Sequence, residues 1–232
     1  MVTFIIDGTE VKTKAGTNLL WVALDNGFYI PNLCALRDVK PTAASCRLCF
    51  VEIEGRREPV VACNQSITDG MVVHLNTSKV QRIRNTAFEL LLSHHFVDCA
   101  HCDKNRNCAL QNIAAKTGLK LKLKRFHQIQ RDLPVDNSHH LFYYNPNKCV
   151  LCGRCIHVCQ EQGTGTLDFA FRGINTIVST FAGLPLSRAC TNSCLACVSV
   201  CPVGSLVAKA GVSISEAEAT VAHKLQIAPG IK

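Results

Sequence analysis

Fifteen cysteines fall into four groups along 232 residues, and no other feature restricts the folds open to this chain as much. An odd count rules against a complete disulfide framework, because one thiol is left over. The opening "MVTFIIDGTE" has no basic n-region, no long apolar stretch and no small-residue cleavage site, so no secretory leader is expected. No run approaches the roughly 18 apolar residues of a membrane span, so no transmembrane segment is expected. The expected compartment is the cytoplasm, where thiols stay reduced and clustered cysteines are metal ligands by default.

Cys34, Cys46, Cys49 and Cys63 form C-x11-C-x2-C-x13-C. A [2Fe–2S] centre takes four thiolates, two on each iron, and plant-type ferredoxins gather three from one loop and the last from farther along. This spacing has that shape with longer gaps. Four-cysteine zinc sites usually present two C-x2-C pairs, and this group holds one. The expected occupant is therefore a [2Fe–2S] cluster.

Two later runs, "CVLCGRCIHVC" and "CTNSCLACVSVCP", are dense in the same residue. The first is C-x2-C-x2-C-x3-C, the bacterial ferredoxin pattern, in which the fourth cysteine of each run ligates the other cluster. Crossing predicts one [4Fe–4S] cube on Cys149, Cys152, Cys155 and Cys201. It places a second on Cys159, Cys190, Cys194 and Cys197. Two departures stand out: Gln160 follows Cys159 where that pattern has Pro, and the second run opens C-x3-C, with Thr191 at the regular ligand position. Either the loop bulges by one residue and Cys190 still reaches iron, or that cube lacks a thiolate. A spare thiol beside a cluster would be a coincidence, so Cys190 is the expected ligand.

These sets use twelve cysteines and leave Cys99, Cys102 and Cys108 within "HHFVDCAHCDKNRNC". A third [4Fe–4S] cube there needs a donor that is not a thiolate. His95 completes H-x3-C-x2-C-x5-C, and imidazole replaces thiolate on iron in Rieske centres. A neutral ring lowers the negative charge on the cluster and favours its reduction. His95 is the expected fourth ligand, against the plainer alternative that it only caps its helix; His94 is the nearest rival. His101, His127 and His157 are expected to be supporting or solvated groups.

The groups also divide the chain. Residues 1–77 read as a mixed α/β unit. Asp7-Gly8 between two alternating runs predicts a hairpin. "TNLLWVALDNG" predicts a short helix with Thr17 as N-cap and Gly27 past its end, and "CFVEIEG" and "MVVHL" are later strands. That order fits a β-grasp sheet on one helix. Residues 78–120 read as a small helical unit: Val80, Ile83, Ala87 and Leu91 recur at helical spacing, and "CALQNIAAKTG" is a second helix stopped near Gly118. From Gly118 into the 121–140 connector, "GLKLKLKRF" predicts a strand or extended connector with one wet face, or a basic docking strip. Residues 141–209 hold the twin runs, joined by short strands and turns. The tail, 210–232, has helical character through "SEAEATVAHKLQ" and carries no chemistry. The expected fold class is α+β.

Net charge is +8 from 25 basic and 17 acidic residues, which taken alone suggests nucleic acid or an acidic partner. Four oxidised clusters contribute about −7 by ligand counting and bring the loaded protein near neutrality. A zinc-stabilised nucleic-acid binder is therefore the weaker class, with few aromatics to stack on bases and no finger-like unit. "QGTGTLDF" lacks the third glycine of a dinucleotide fingerprint, so no nucleotide site is expected.

The order of C-x11-C-x2-C-x13-C, H-x3-C-x2-C-x5-C and two ferredoxin runs resembles one electron-transfer module. It occurs in the large iron–sulfur subunit of respiratory complex I, [FeFe]-hydrogenases, NAD-linked formate dehydrogenases and the small diaphorase subunit of NAD-reducing [NiFe]-hydrogenases. "SCRLCFVEIEG" and "CDKNRNCALQ" are especially similar to it. The resemblance implies a plant-type ferredoxin-like domain, a small His-Cys domain and a two-[4Fe–4S] ferredoxin-like domain. It also implies one [2Fe–2S] and three [4Fe–4S] clusters in all. The chain ends about thirty residues after Cys201, a length most like the diaphorase subunit. The function expected from that likeness is relay of single electrons between a flavin/NAD(P)(H)-binding subunit and a second redox subunit, with hydrogenase the expected one. A formate dehydrogenase or complex I-like role, or a free-standing polyferredoxin, is the alternative.

Overall fold

Val2–Ile6 (β1) and Thr9–Thr13 (β2) pair antiparallel with Ile6 opposite Thr9, leaving Asp7 and Gly8 as a two-residue turn. Both turn residues have positive φ, 45° and 82°, the primed geometry whose twist suits a hairpin. Phe4 and Ile6 alternate inward along β1 and are fully buried. Burying each contributes roughly 1.5–3 kcal/mol before chain entropy is charged.

The computed structural model describes residues 1–37, 39, 41–190 and 194–214. They form two units, residues 1–35, 39 and 41–90 in one, and 36–37, 91–190 and 194–214 in the other. In the first, Leu19–Asp25 (α1) lays Leu19, Leu20 and Ala23 into the core. Its N-cap is Asn18, not the expected Thr17. The Asn18 amide oxygen accepts from Leu20 N–H at 3.1 Å, while the Thr17 hydroxyl turns back to the Lys14 carbonyl at 2.8 Å. Gly27, at φ 83°, follows the helix end as expected. Phe50–Ile53 (β3), Val60–Val61 (β4) and Val72–His74 (β5) complete a five-stranded sheet in the order β2-β1-β5-β3-β4. The β1–β5 pair is parallel and the others antiparallel. Ser78–His94 forms α2, opened by the Thr77 hydroxyl, which accepts from Val80 N–H at 3.2 Å.

In the second unit, Ala109–Thr117 (α3) ends at Gly118 in the left-handed region, as expected. Residues 119–135 form no strand. Their polar groups serve the end of α2 instead: Ile129 N–H donates to the Ser93 carbonyl at 2.8 Å, and Gln128 Nε2 donates to the same carbonyl at 2.9 Å. Phe142–Tyr144 (β6) pairs antiparallel with Leu206–Ala208 (β9). Between them lie Arg154–Glu161 (α4), a hairpin of Leu167–Ala170 (β7) and Ile177–Thr180 (β8), Leu186–Ala189 (α5) and Ala196–Val200 (α6). Phe142, Ile156, Leu167, Val178, Leu195, Val198 and Leu206 make the core, with Cys155, Cys159 and Cys197 packed among them. The helix expected in "SEAEATVAHKLQ" lies outside the described residues. Among the described residues no helix is long and apolar enough to cross a membrane.

Candidate metal centres

Cys34, Cys46, Cys49 and Cys63 are all buried in the first unit, and their sulfurs come together in pairs. Cys34 and Cys46 Sγ are 3.5 Å apart, and Cys49 and Cys63 are hydrogen-bonded to each other. Two pairs of sulfurs match two irons with two thiolates each. Leu33 N–H donates to Cys46 Sγ at 3.4 Å and Cys46 N–H to Cys34 Sγ at 3.5 Å. The hydrogen bond between Cys34 and Cys46 pulls the Cys34 thiol down and pushes Cys46 up; Cys63 and Cys49 repeat the arrangement. Asn18 Nδ2 donates to the Cys63 carbonyl at 2.7 Å, which ties the start of α1 to this loop. Arg84 of α2 is 5% exposed and donates to the Phe50 carbonyl, the residue after Cys49, at 2.6 Å. Burial lowers the Arg84 guanidinium to about 10, and Cys49 acts in the opposite sense.

The second group forms around the end of α2 and the start of α3. His95 is 7% exposed, and its Nδ1 lies 2.8 Å from the Lys148 carbonyl. A carbonyl only accepts, so Nδ1 carries the proton and Nε2 presents a lone pair. Burial lowers the His95 basicity and keeps the ring neutral. Cys108 is the N-cap residue of α3, buried, and raised first by desolvation and then by Cys102 and Cys99. His94 stands one residue away in a different setting, its Nδ1 2.8 Å from Arg131 Nη2. His101 and His127 are exposed, His101 bonding to Asp98 at 2.9 Å, and His157 lies 3.9 Å from Glu161.

The twin runs share one architecture, a cysteine loop leading into a short helix. Leu151 N–H donates to Cys149 Sγ and Ala196 N–H to Cys194 Sγ, each at 3.4 Å. Cys155 and Cys159 stand a turn apart on α4, about 6 Å along its axis. Desolvation raises Cys155, reinforced by Cys152, Cys149 and Cys201 ahead of Cys197. Desolvation also raises Cys197, reinforced by Cys190, Cys159 and Cys194 ahead of Cys201. Cysteines of both runs therefore act on Cys155 and on Cys197. Burial likewise pushes Cys149 up to about 11 and Cys152 up to about 12. Cys190 closes α5 and packs on the same core; Thr191, the residue at the regular ligand position, lies outside the described residues.

Among the described residues no group of three or more His, Cys, Asp or Glu side chains stands close enough to hold a single metal ion. A Cβ on Gly204 would sit 2.5 Å from Cys102 Sγ, so only glycine lets the backbone approach that sulfur. Ala109 N–H, at the start of α3, donates to the Pro202 carbonyl at 2.9 Å. Pattern reading missed Gln128, Arg131, Lys148 and Gly204, which support the site by long-range contacts that no local motif announces. The glycine-rich turn in "QGTGTLDF" wraps Cys159, its Thr164 Oγ1 3.0 Å from the sulfur.

Three family models match the chain. Residues 1–78 match a 2Fe-2S iron-sulfur cluster binding domain, 84–121 an NADH-ubiquinone oxidoreductase-G iron-sulfur binding region, and 142–162 a 4Fe-4S binding domain. The NADPH-Fe(3+) oxidoreductase subunit alpha of Geobacter sulfurreducens is 39% identical over 215 residues, covering 90% of this chain and 24% of that one. The NADP-reducing hydrogenase subunit HndD of Solidesulfovibrio fructosivorans is 34% identical, covering 89% of this chain and 36% of that one. The NADH-ubiquinone oxidoreductase 75 kDa subunit of Reclinomonas americana is 30% identical, covering 90% and 30%. The chain therefore spans about a quarter to a third of the length of these relatives. A chain of an NAD+-reducing [NiFe]-hydrogenase solved in the H2-reduced state superposes with a TM-score of 0.76 at 29% identity, covering 92% of this chain and 90% of that one. This chain carries the iron–sulfur module shared by these NADH-ubiquinone oxidoreductase, NADPH-linked oxidoreductase and hydrogenase chains.

Proposed function

We propose that this chain is an iron–sulfur electron-transfer subunit relaying single electrons between a flavin/NAD(P)(H)-binding subunit and a second redox subunit, a hydrogenase. Cys34 and Cys46 on one iron, with Cys49 and Cys63 on the other, would hold a [2Fe–2S] cluster in a β-grasp, plant-type ferredoxin-like domain. His95 through Nε2, with Cys99, Cys102 and Cys108, would hold one [4Fe–4S] cluster. Cys149, Cys152, Cys155 and Cys201 would hold a second, and Cys159, Cys190, Cys194 and Cys197 a third. Bound, such clusters supply one-electron redox chemistry at potentials set by ligand type, hydrogen bonds and burial.

The observation that carries this reading is that Cys155, Cys159 and Cys197 share one core, with Cys149, Cys190 and Cys201 of the two runs packed against it. A sequence-local metal site has no need of it, and two adjacent cubes do. The chain buries Cys34, Cys46, Cys49, Cys63, Cys108, Cys152, Cys155, Cys159 and Cys197, and directs amide protons at the sulfurs of Cys34, Cys46, Cys149, Cys159 and Cys194. Two contacts from the His95 group lead to one cube. His95 Nδ1 bonds the Lys148 carbonyl, which is covalently attached to the Cys149 nitrogen, and Cys102 lies against Gly204, three residues past Cys201. Both support placing the His95 cluster next to the Cys149 cluster. The likeness to a chain of an NAD+-reducing [NiFe]-hydrogenase, at 90% of that chain's length, favours hydrogenase as the second partner.

Anaerobic affinity purification from the native source tests the relay. Copurification with a flavin chain and a hydrogenase, with NAD(P)H reducing the cluster EPR signals only in the complex, is the expected result. A formate dehydrogenase or complex I-like partner would overturn the hydrogenase assignment. A chain that purifies alone, as a free-standing polyferredoxin does, would overturn the subunit reading.

A further inference from the structure

We infer that Thr164 sets the potential of the cluster that Cys159 ligates, by giving its hydroxyl proton to the Cys159 sulfur. The inference rests on the reading of Cys159 as an iron ligand. Gln160 stands where ferredoxin runs have Pro, so the chain keeps a backbone donor there and α4 runs on to Glu161. Gly163 and Gly165, at φ 74° and 56°, then turn the chain back over the end of the helix. Five interactions from the returning segment converge on Cys159. Its carbonyl accepts from Thr164 N–H at 3.2 Å and Gly165 N–H at 3.1 Å. Its sulfur accepts from Thr166 N–H at 3.2 Å, and Thr164 Oγ1 lies 3.0 Å from the sulfur and 2.9 Å from the carbonyl.

Thr164 has one proton to give and two acceptors in reach. A sulfur bound to iron has no proton of its own, so the hydroxyl is the only possible donor in that pair. The carbonyl oxygen already has two amide donors for its two lone pairs, whereas the sulfur is anionic and gains a charge-assisted bond. The proton therefore belongs on sulfur when the thiolate is metal-bound. Cys149 and Cys194 receive amide bonds of 3.4 Å each, longer than either contact at Cys159. A donor on a ligand sulfur withdraws charge, and the reduced cluster carries one more negative charge than the oxidised one. The bond is thus stronger in the reduced state and raises the potential.

The test is an EPR-monitored redox titration of the anaerobically purified, iron-loaded protein with Thr164→Val, Thr164→Ala and Thr164→Ser. Val and Ala should keep full iron and shift one [4Fe–4S] midpoint downward, leaving the others in place; Ser should stay at the wild-type value. An unmoved midpoint in Val and Ala overturns the inference, as does a Ser variant that shifts as far as Val. Loss of iron from both Val and Ala also overturns it, since Thr164 would then build the site rather than tune it. Cys159→Ala separates the two layers. Unchanged iron there removes the ligand reading itself, whereas iron loss there with an unmoved Thr164→Val midpoint removes only the role of Thr164.

Discussion

His94 and His95 are adjacent at the end of α2 and hold opposite tautomers. His95 Nδ1 donates to the Lys148 carbonyl at 2.8 Å, and His94 Nδ1 accepts from Arg131 Nη2 at 2.8 Å. A neutral ring has one proton, so His95 presents a bare Nε2 while the Nε2 of His94 is protonated. Burial lowers the basicity of both and keeps them neutral, with the Arg131 charge adding to the effect at His94. Of the two, only His95 leaves Nε2 unprotonated, as ligation of a metal would need.

The pair therefore separates under substitution. His95→Ala should remove about four irons per chain and one EPR signal. His94→Ala should leave iron unchanged and cost about 1 kcal/mol in stability through the lost Arg131 bond. Iron analysis with EPR of both variants checks this; equal iron loss in the two would refute the assignment.

Gly204→Ala places a methyl group 2.5 Å from Cys102 Sγ. Overpacking of this kind costs about 1–3 kcal/mol. The expected result is a lowered midpoint in chemical denaturation and a changed EPR line shape for the cluster on Cys102 alone. A variant with wild-type stability and spectra would show that the loop yields freely.

The parts of this molecule legible in its sequence are those where short-range covalent spacing does the specifying. The Asp7-Gly8 hairpin, α1, the two helices flanking the Cys99 group and the strand at Phe50–Ile53 all follow from turn residues and local periodicity. Where one-residue geometry decides, the pattern is silent: Asn18 and Thr17 are both good caps, and which one reaches the Leu20 amide is settled by the backbone. The supports of the candidate sites are invisible for a different reason. Lys148 meets His95 from 53 residues away through a main-chain carbonyl, which every residue type possesses. Gln128 and Arg131 lie just past a stretch whose Lys-Leu alternation suggests a strand, yet the region finds no partner strand and spends its polar groups on α2 and its neighbours.

Cys190 is the expected ligand despite its C-x3-C spacing, and its sulfur is first among the thiols acting on Cys197. Cys190→Ala should lower iron content and perturb one [4Fe–4S] signal. Unchanged iron with four intact signals would leave that cube with a different fourth donor.

Cluster assembly should depend on pH in a defined direction. Burial raises Cys149 to about 11 and Cys152 to about 12, so without iron both remain protonated at neutral pH. Ligation must release those protons, and protons therefore compete with iron. Iron and sulfide incorporated during anaerobic reconstitution should rise between about pH 7 and pH 9. Incorporation that falls over that range would contradict the assignment of these thiols as ligands.

In the proposed relay all fifteen cysteines and His95 are engaged by four clusters. Combined iron, acid-labile sulfide and zinc analysis of the anaerobically purified chain, with stepwise reduction followed by EPR, tests that engagement most directly. The expected result is about 14 irons per chain, two from the binuclear centre and four from each of three cubes, with four distinct signals and negligible zinc. A chain that carries zinc in place of iron, or that shows a full thiol count beside fewer than four clusters, would contradict it.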